Sequence, residues 1–105
     1  MRFKVENNSG GKPSWWLIAG NGEQVCWAGE SFASMSNAKR AAASFKEGAA
    51  EANFEVYEDA GGKFRWRAKR GGHIVASSGE AFASKSNAQR AADNVQSKVG
   101  AAEGP

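Results

Sequence analysis

Apolar and polar residues alternate over several short segments of the chain, and each group of three such segments precedes a stretch with helical spacing. Phe3 to Glu6 alternates apolar and charged side chains, which is the period of a strand with one buried face. Ala38 to Phe45 instead places apolar residues at i, i+3, i+4 and i+7, which is the spacing of one helix face. The pattern predicts strands at residues 3–6, 14–19, 23–28, 54–57, 64–69 and 73–78, and two helices that begin after Ser34 or Ser36 and after Ser84 or Ser86 and end at Gly48 and Gly100.

One unit of this pattern occurs twice. Residues 29–42 and 79–92 carry nearly the same sequence about fifty residues apart, which marks an internal repeat. A single unit of that size buries too little surface to be stable alone, so we expect the two units to share one core. We predict one α+β domain, residues 1–105, in which two tandem β-β-β-α repeats (about 1–51 and 52–100) form one mostly antiparallel sheet with two helices on one face and a pseudo-two-fold axis, followed by a disordered tail at 101–105.

The predicted second strand of each repeat sets the two faces of the sheet. With Pro13 taken as one extra residue in the first copy, Trp16 matches Trp66 on the inner face. Trp15 and Leu17 then point outward, where the second copy has basic residues. The predicted core consists of Phe3, Val5, Trp16, Val25, Phe54, Val56, Trp66, Val75 and the alanine faces of the helices, with Phe32 and Phe82 as apolar plugs between strand and helix.

Composition favours a packed globular protein and bears on its location. A hydrophobic content of 41% with four tryptophans is typical of a globular core. No apolar run approaches the roughly 18 residues needed to cross a bilayer, and the N-terminus lacks the hydrophobic segment of a signal peptide. Because the single Cys26 cannot form an internal disulfide, we expect a cytoplasmic location and no membrane contact. The net charge of +3 is too small to indicate a nucleic-acid partner by itself.

A recurring set of residues carries a resemblance to a known family. In the second copy these residues are, in order, Phe54, Trp66, Gly72, Val75, Phe82, Ser84 and Lys85. The pattern resembles the YegP-like family of small bacterial proteins of unknown function, which are built from a repeat of about fifty residues. The first copy departs from it, with Met35 in the place of Lys85 and Ala28 in the place of Ser78. The resemblance implies tandem units, or a dimer of single units, that form one continuous sheet and exchange the strand after the helix. It implies no activity and no ligand.

The residues that carry most enzyme chemistry are scarce. His73, beside a predicted hairpin turn, is the only histidine, and Cys26 lies within a predicted strand as a small core residue. Neither has partners at the spacing of a nucleophilic triad or a metal site. We therefore expect no catalytic activity, no metal and no cofactor.

A basic sheet face is one candidate for binding. Arg65, Arg67 and Lys69 alternate along the fifth strand, Arg70 follows, and Trp15 is predicted on the same face. Cations beside an exposed aromatic ring are how a sheet binds single-stranded nucleic acid, through phosphate pairing and base stacking. A solvated outer face whose charges prevent aggregation explains the same pattern.

Protein binding is the other interpretation. Trp15, Leu17 and Trp27 stand where the second copy has basic or small residues, which indicates either an interface patch or a face covered by another part of the chain. We expect a small binding or structural module that contacts a protein partner, with nucleic acid or another polyanion on the Arg65, Arg67 and Lys69 face as the alternative. Because the tandem chain already contains its partner repeat, we expect a monomer with an internal pseudo-dimer, with a homodimer as the alternative.

The start of each predicted helix also carries a polar set that is suited to an anion. Helix capping explains the serines and asparagines of these sets equally well. The sets are Ser34, Ser36, Asn37 and Arg40 in the first copy, and Ser84, Ser86, Asn87 and Arg90 in the second.

Overall fold

Six strands and two helices follow one another in two matching series. The computed structural model describes residues 1–105. The strands are β1 (Arg2–Asn7), β2 (Pro13–Ile18), β3 (Gln24–Trp27), β4 (Asn53–Glu58), β5 (Phe64–Arg70) and β6 (His73–Ser78). The helices are α1 (Met35–Gly48) and α2 (Lys85–Lys98), followed by the 3-10 turns Ala49–Glu51 and Val99–Ala101. This order confirms two tandem β-β-β-α repeats.

The six strands form one sheet in the order β1-β2-β3-β6-β5-β4, and every neighbouring pair is antiparallel. Each repeat is a three-stranded meander, and the two meanders join through β3 and β6, where Cys26 pairs with Ser78 and Trp27 with Ser77. α1 packs on β1 and β2, and α2 packs on β4 and β5. The predicted α+β class, with one antiparallel sheet and two helices on one face, is confirmed. Neither helix has the length and apolar run that crossing a membrane requires.

A serine hydroxyl begins each helix. Ser34 Oγ accepts a hydrogen bond from the Asn37 N–H at 3.1 Å, and Ser84 Oγ accepts one from the Asn87 N–H at the same distance. Each bond satisfies an N–H of the first turn that has no partner within the helix. The first serine of each predicted pair is therefore the cap.

The predicted glycine C-caps are wrong. Gly48 is the last residue of α1 and has a φ of −103°, so it does not make the left-handed turn that ends many helices. The lack of a side chain at Gly48 instead lets the Arg70 guanidinium lie close to the helix backbone, because a Cβ at Gly48 would overlap that guanidinium. Gly100 lies inside the 3-10 turn that follows α2, and the C-cap of α2 is Val99.

The two copies align through their first turns with no extra residue at Pro13. Asn8 and Asp59 each accept two backbone N–H groups of the turn on one side-chain oxygen, from the residues two and four positions on. Pro13 then takes the place of Phe64. Phe64 exchanges two backbone hydrogen bonds with Phe82, whereas Pro13 has no N–H and can only accept a bond from the equivalent loop.

The extra residue of the first copy lies in the β2–β3 hairpin. Gly20, Asn21 and Gly22 occupy this turn, where the β5–β6 hairpin has only Gly71 and Gly72. The two glycines of the shorter turn have φ values of +57° and +82°, and residues that carry a side chain rarely adopt such values. Assignment of the extra residue to Pro13 places it one turn too early, and the predicted faces of Trp15, Trp16 and Leu17 are therefore wrong.

The core contains Trp15 and Trp66 as equivalent residues, each with 0% of its surface exposed. The Phe45 ring stacks on Trp15 with ring centroids 5.3 Å apart. Phe45 also lies 6.3 Å from Phe54, which is 5.4 Å from Trp66. This aromatic series runs from the first repeat into the second, so both repeats are built around the same core. The indole N–H groups of Trp15 and Trp66 have no hydrogen-bond partner.

The predicted core is right for Trp66 and wrong for Trp16, which is half-buried on the opposite face of the sheet. The helix alanines Ala38, Ala42, Ala88 and Ala92 are fully buried, as expected. The other predicted core residues are only partly buried and pack around the centre, as do the two phenylalanine plugs: Phe3, Val5, Val25, Phe54, Val56, Val75, Phe32 and Phe82.

The C-terminal tail, predicted to be disordered, lies along the edge strand β1. Glu103 forms a parallel bridge with Arg2: the Phe3 N–H donates to the Glu103 carbonyl, and the Glu103 N–H donates to the Met1 carbonyl, both at 2.9 Å. Ala102 is buried at 4% exposure. The segment after α1 continues into β4, and the segment after α2 reaches β1, so the C-terminal end of the chain lies beside its first strand.

Candidate functional site

The side of the sheet that faces away from the helices, here called the open face, is covered by neither helix. One row of side chains crosses this face in register through all six strands: Lys4, Trp16, Trp27, Ser77, Arg67 and Glu55. The row follows from strand alternation, because each member neighbours a residue that points into the core. Trp16 and Trp27 are register partners, and both are half-buried. The Lys4 ammonium lies 5.9 Å from the centre of the Trp16 ring.

Trp15 does not belong to this surface, in contrast to the prediction. It is fully buried beneath α1, and so is Leu17. Trp16 lies on the open face instead, with β3 and β6 between it and the basic strand β5, and Trp27 lies on the open face as expected. Alignment of Pro13 with Phe64, without a gap, reveals this from the sequence, because it pairs Trp15 with Trp66.

Arg70 also lies off the open face. It follows Arg65, Arg67 and Lys69 along β5, but an even spacing from Trp66 directs its side chain toward the helices. There its Nη1 donates to the Ser44 carbonyl of α1 at 3.4 Å. A cation at the C-terminal turn of a helix is favourable, so Arg70 ties the second repeat to the first.

Each of the three cations of β5 on the open face has a carboxylate partner. Arg65 Nε lies 3.0 Å from Asp59 Oδ2, Arg67 Nε bonds Glu55 Oε1, and Lys69 Nζ lies 3.3 Å from the same oxygen. The Arg67 guanidinium also sits 4.6 Å from the centre of the Tyr57 ring. The sequence showed the cations but not this pairing, since Glu55 becomes the neighbour of Arg67 only through the β4–β5 register.

These pairs change the acidity of the two carboxyl groups. The hydrogen bonds from Arg67 and then Lys69 hold the pKa of Glu55 below its ordinary value. The Lys63 backbone N–H, followed by Arg65, lowers the pKa of Asp59. Both groups therefore carry their negative charge at neutral pH and offset the positive charge of the strand.

The residues considered for catalysis lie apart from each other. His73 is exposed at the β5–β6 turn, whereas Cys26 is fully buried within β3. Burial raises the pKa of the Cys26 thiol far above its ordinary value, so the reactive thiolate is not formed at neutral pH. No three histidine, cysteine, aspartate or glutamate side chains come together in the way that a metal site requires.

The polar sets at the helix starts act as caps. The hydroxyls of Ser34 and Ser84 are engaged by backbone N–H groups of their own helices. In the second repeat, Asn87 and Arg90 line a shallow groove beside Phe82 on the surface of α2. Both side chains are exposed.

Two solved structures share this fold. One is the solution NMR structure of yegP, a protein of unknown function from E. coli, with a TM-score of 0.80 and 23% sequence identity over 97% of this chain and 88% of that one. The other is the solution NMR structure of UPF0339 protein SO3888 from Shewanella oneidensis, with a TM-score of 0.78 and 19% identity over 94% of this chain and 84% of that one. At these identities the likeness establishes the fold alone. Among curated proteins, none matches the chain.

The match to a sequence family follows the internal repeat. It covers residues 8–55 and again residues 59–103, so each matched segment begins at the Asn8 or Asp59 turn and continues beyond its helix. The resemblance to YegP-like proteins is thereby confirmed. The chain belongs to the family described as Domain of unknown function (DUF1508).

Proposed function

We propose that this chain is a non-catalytic protein-binding module that contacts its partner through the open face, with Trp16 and Trp27 as the anchoring side chains. The observation that carries the proposal is the adjacency of these two half-buried tryptophans on the side of the sheet that no helix covers. Tryptophan is enriched among the residues that dominate binding energy at protein interfaces. We include a cytoplasmic location in the proposal, supported by the single unpaired Cys26.

The charges around the two tryptophans support a protein partner over a polyanion. Arg65, Arg67 and Lys69 are already paired with carboxylates, so phosphate groups would have to compete with Asp59 and Glu55 for them. Paired charges around an apolar centre are instead typical of the rim of a protein interface. Single-stranded nucleic acid is the second candidate, supported by the presence of Trp16 and Arg67 in one row of the face.

Photo-crosslinking in cells tests both candidates. A benzophenone amino acid replaces Lys4, which is exposed at the rim of the open face, and in a second variant it replaces Lys39, which is exposed on α1. The proposal predicts adducts to one recurring protein from position 4 and not from position 39. Adducts to nucleic acid alone would favour the second candidate, and no specific adduct from position 4 would rule out the open face as the binding surface.

The partner protein identified by crosslinking is then purified, and its affinity for variants of this chain tests the two anchoring tryptophans. Trp16→Ala and Trp27→Ala are each expected to weaken the affinity by about thirtyfold, the loss typical of a dominant interface residue. Met35→Ala is the matched control, because Met35 is an exposed apolar side chain on α1. Equal affinities for all four chains would contradict the proposal.

A further inference from the structure

The central row of the open face is complementary to itself when it is read in the opposite direction. From β1 to β4 it runs Lys4, Trp16, Trp27, Ser77, Arg67 and Glu55. Reversal places Lys4 against Glu55, Trp16 against Arg67, and Trp27 against Ser77. The first contact brings the Lys4 ammonium, which already lies 3.1 Å from Glu6 Oε1, to the carboxylate of Glu55, which Arg67 and Lys69 already bond. The second is a cation–aromatic contact, and the third sets a large side chain against a small one.

A two-fold axis that runs parallel to the strands, between β3 and β6, produces this reversal in a face-to-face pair of chains. Rotation about this axis leaves the position of a residue along the strand direction unchanged, so each row of side chains faces the same row of the second chain. In the next row toward the N-terminus of β1, it places Arg2 against the ring of Tyr57. On the other side it places Glu6 against Asn53. None of these positions brings like charges together.

A two-fold axis perpendicular to the strands gives the opposite result. It would place each strand over its own copy, so Lys4 would meet Lys4, Arg67 would meet Arg67 and Glu55 would meet Glu55. Like charges in direct contact are unfavourable, and the two arrangements are therefore clearly distinguished.

We propose that the partner bound by the open face is a second copy of this chain, packed face to face about a two-fold axis parallel to the strands. This inference rests on the proposed function and names its partner. Each contact joins one residue of the first repeat (Lys4, Trp16 or Trp27) to one of the second (Glu55, Arg67 or Ser77), so a pair of chains makes each contact twice, as an interface between identical subunits does.

The dimensions of the face set the expected strength of the dimer. Six strands about 4.8 Å apart span about 24 Å, and six residues along a strand span about 20 Å. This footprint is at the low end for specific protein interfaces, so we expect a dissociation constant in the micromolar range.

Exchange of the large and small central residues tests the proposal. Trp27→Ser creates two small-to-small contacts in its own dimer, and Ser77→Trp creates two large-to-large contacts. A mixed dimer of the two variants regains two large-to-small contacts, because each chain supplies what the other lacks. The exchange changes no charge and leaves the buried Trp15 and Trp66 in place.

Analytical ultracentrifugation over a concentration series measures the outcome. We expect a wild-type dimer, an increase of about tenfold or more in the dissociation constant of each variant alone, and recovery in the equimolar mixture. Met35→Ser serves as the control and should dimerise like the wild type. Thermal unfolding of each variant, alone, verifies that it is folded.

Two results would overturn the inference. One is a wild-type chain that stays monomeric to about millimolar concentration. The other is a dimer that neither variant weakens or that the mixture does not restore, since that dimer would use another surface. A monomer that still forms crosslinks from position 4 to a different protein would refute the second copy as partner while leaving the proposed function intact.

Discussion

Lys46 and Gln96 hold equivalent positions in α1 and α2, and each donates to backbone carbonyls of the segment that follows the other helix. Lys46 Nζ bonds the Gly104 carbonyl at 2.8 Å. Gln96 Nε2 reaches the carbonyls of Ala49 and Ala52, both at 3.1 Å, and that of Ala50 at 3.3 Å. The contacts are reciprocal between the repeats, so they couple the two helix ends and hold the C-terminal tail beside β1.

Removal of the Gln96 amide should destabilise the protein measurably. Gln96→Ala removes the side-chain donor from the carbonyls of Ala50 and Ala52 and leaves that of Ala49 with only the Ala52 N–H, and the loss of such donors typically costs about 1–3 kcal/mol in the free energy of unfolding. Urea unfolding followed by circular dichroism measures this change. Gln89→Ala is the control, because Gln89 is exposed and bonds only Asp93 one turn along the same helix. A loss as small as that of the control would show that the carbonyls are satisfied by water.

The two adjacent tryptophans of β2 should respond very differently to truncation. Trp15→Ala and Trp66→Ala each remove a fully buried aromatic side chain, and we expect a loss of about 3–5 kcal/mol from each. Trp16→Ala removes a half-buried side chain from the open face, and we expect a smaller loss of about 1–2 kcal/mol. Chemical unfolding of the monomeric protein measures all three. Similar losses for Trp15→Ala and Trp16→Ala would contradict the register of β2.

Gly48 and Arg70 should be energetically coupled. Gly48→Ala moves the exposed Arg70 guanidinium away from α1 and breaks its bond to the Ser44 carbonyl, so we expect this loss to offset the gain in helix propensity and to leave the wild-type free energy of unfolding within about 0.5 kcal/mol of its original value. In an Arg70→Ala background the same substitution has free space, and alanine should stabilise the helix by about 0.5–1 kcal/mol over glycine. A double-mutant cycle from urea unfolding measures the coupling. The same effect of Gly48→Ala in both backgrounds would show that the two residues do not meet.

The stability of the protein should fall in acid in a way that depends on Glu55. Because the folded-state pKa of Glu55 is lowered, its contribution to stability is complete above the ordinary carboxyl pKa of about 4.3 and is lost as the pH falls through the lower folded value. Asp59 acts in the same direction, so Glu55→Gln should remove part of the acid dependence and not all of it. Urea unfolding at a series of pH values measures the slope.

Glu47→Gln is the control for this experiment. Glu47 is exposed on α1 and belongs to none of the ion pairs, so its replacement should leave the acid dependence unchanged. Identical slopes for the wild type and Glu55→Gln would show that the ion pairs with Arg67 and Lys69 do not contribute to stability.

The fold could be predicted from the sequence because the same pattern of strands, turns and helix occurs in both repeats. Strand alternation, turn residues and the alanine spacing each gave the correct element, and two copies of a β-β-β-α unit limit the architecture strongly. The tail was harder to predict, because Glu103 pairs with β1 through backbone atoms, which leave no pattern in the side chains.

The open face could be predicted only in part. Arg65, Arg67 and Trp27 were correctly assigned to it, since they follow strand alternation. Trp15 was assigned to this face incorrectly. The extra residue belongs to the β2–β3 hairpin, and placing it at Pro13 instead shifts β2 by one residue, which exchanges the two faces of the strand. The pairing of Arg67 with Glu55 depends on which strands are neighbours, and the spacing of residues along one strand does not contain that information.

Binding through the open face is tested most directly by NMR spectra of the four tryptophan indole N–H groups as the protein concentration rises from about 10 µM to about 1 mM. Trp15 and Trp66 provide an internal reference, since both are buried away from that face. We predict that the resonances of Trp16 and Trp27 shift with concentration while those of Trp15 and Trp66 stay fixed. Trp16 and Trp27 resonances that stay fixed at every concentration, and also after addition of any crosslinked protein, would contradict a binding role for this face.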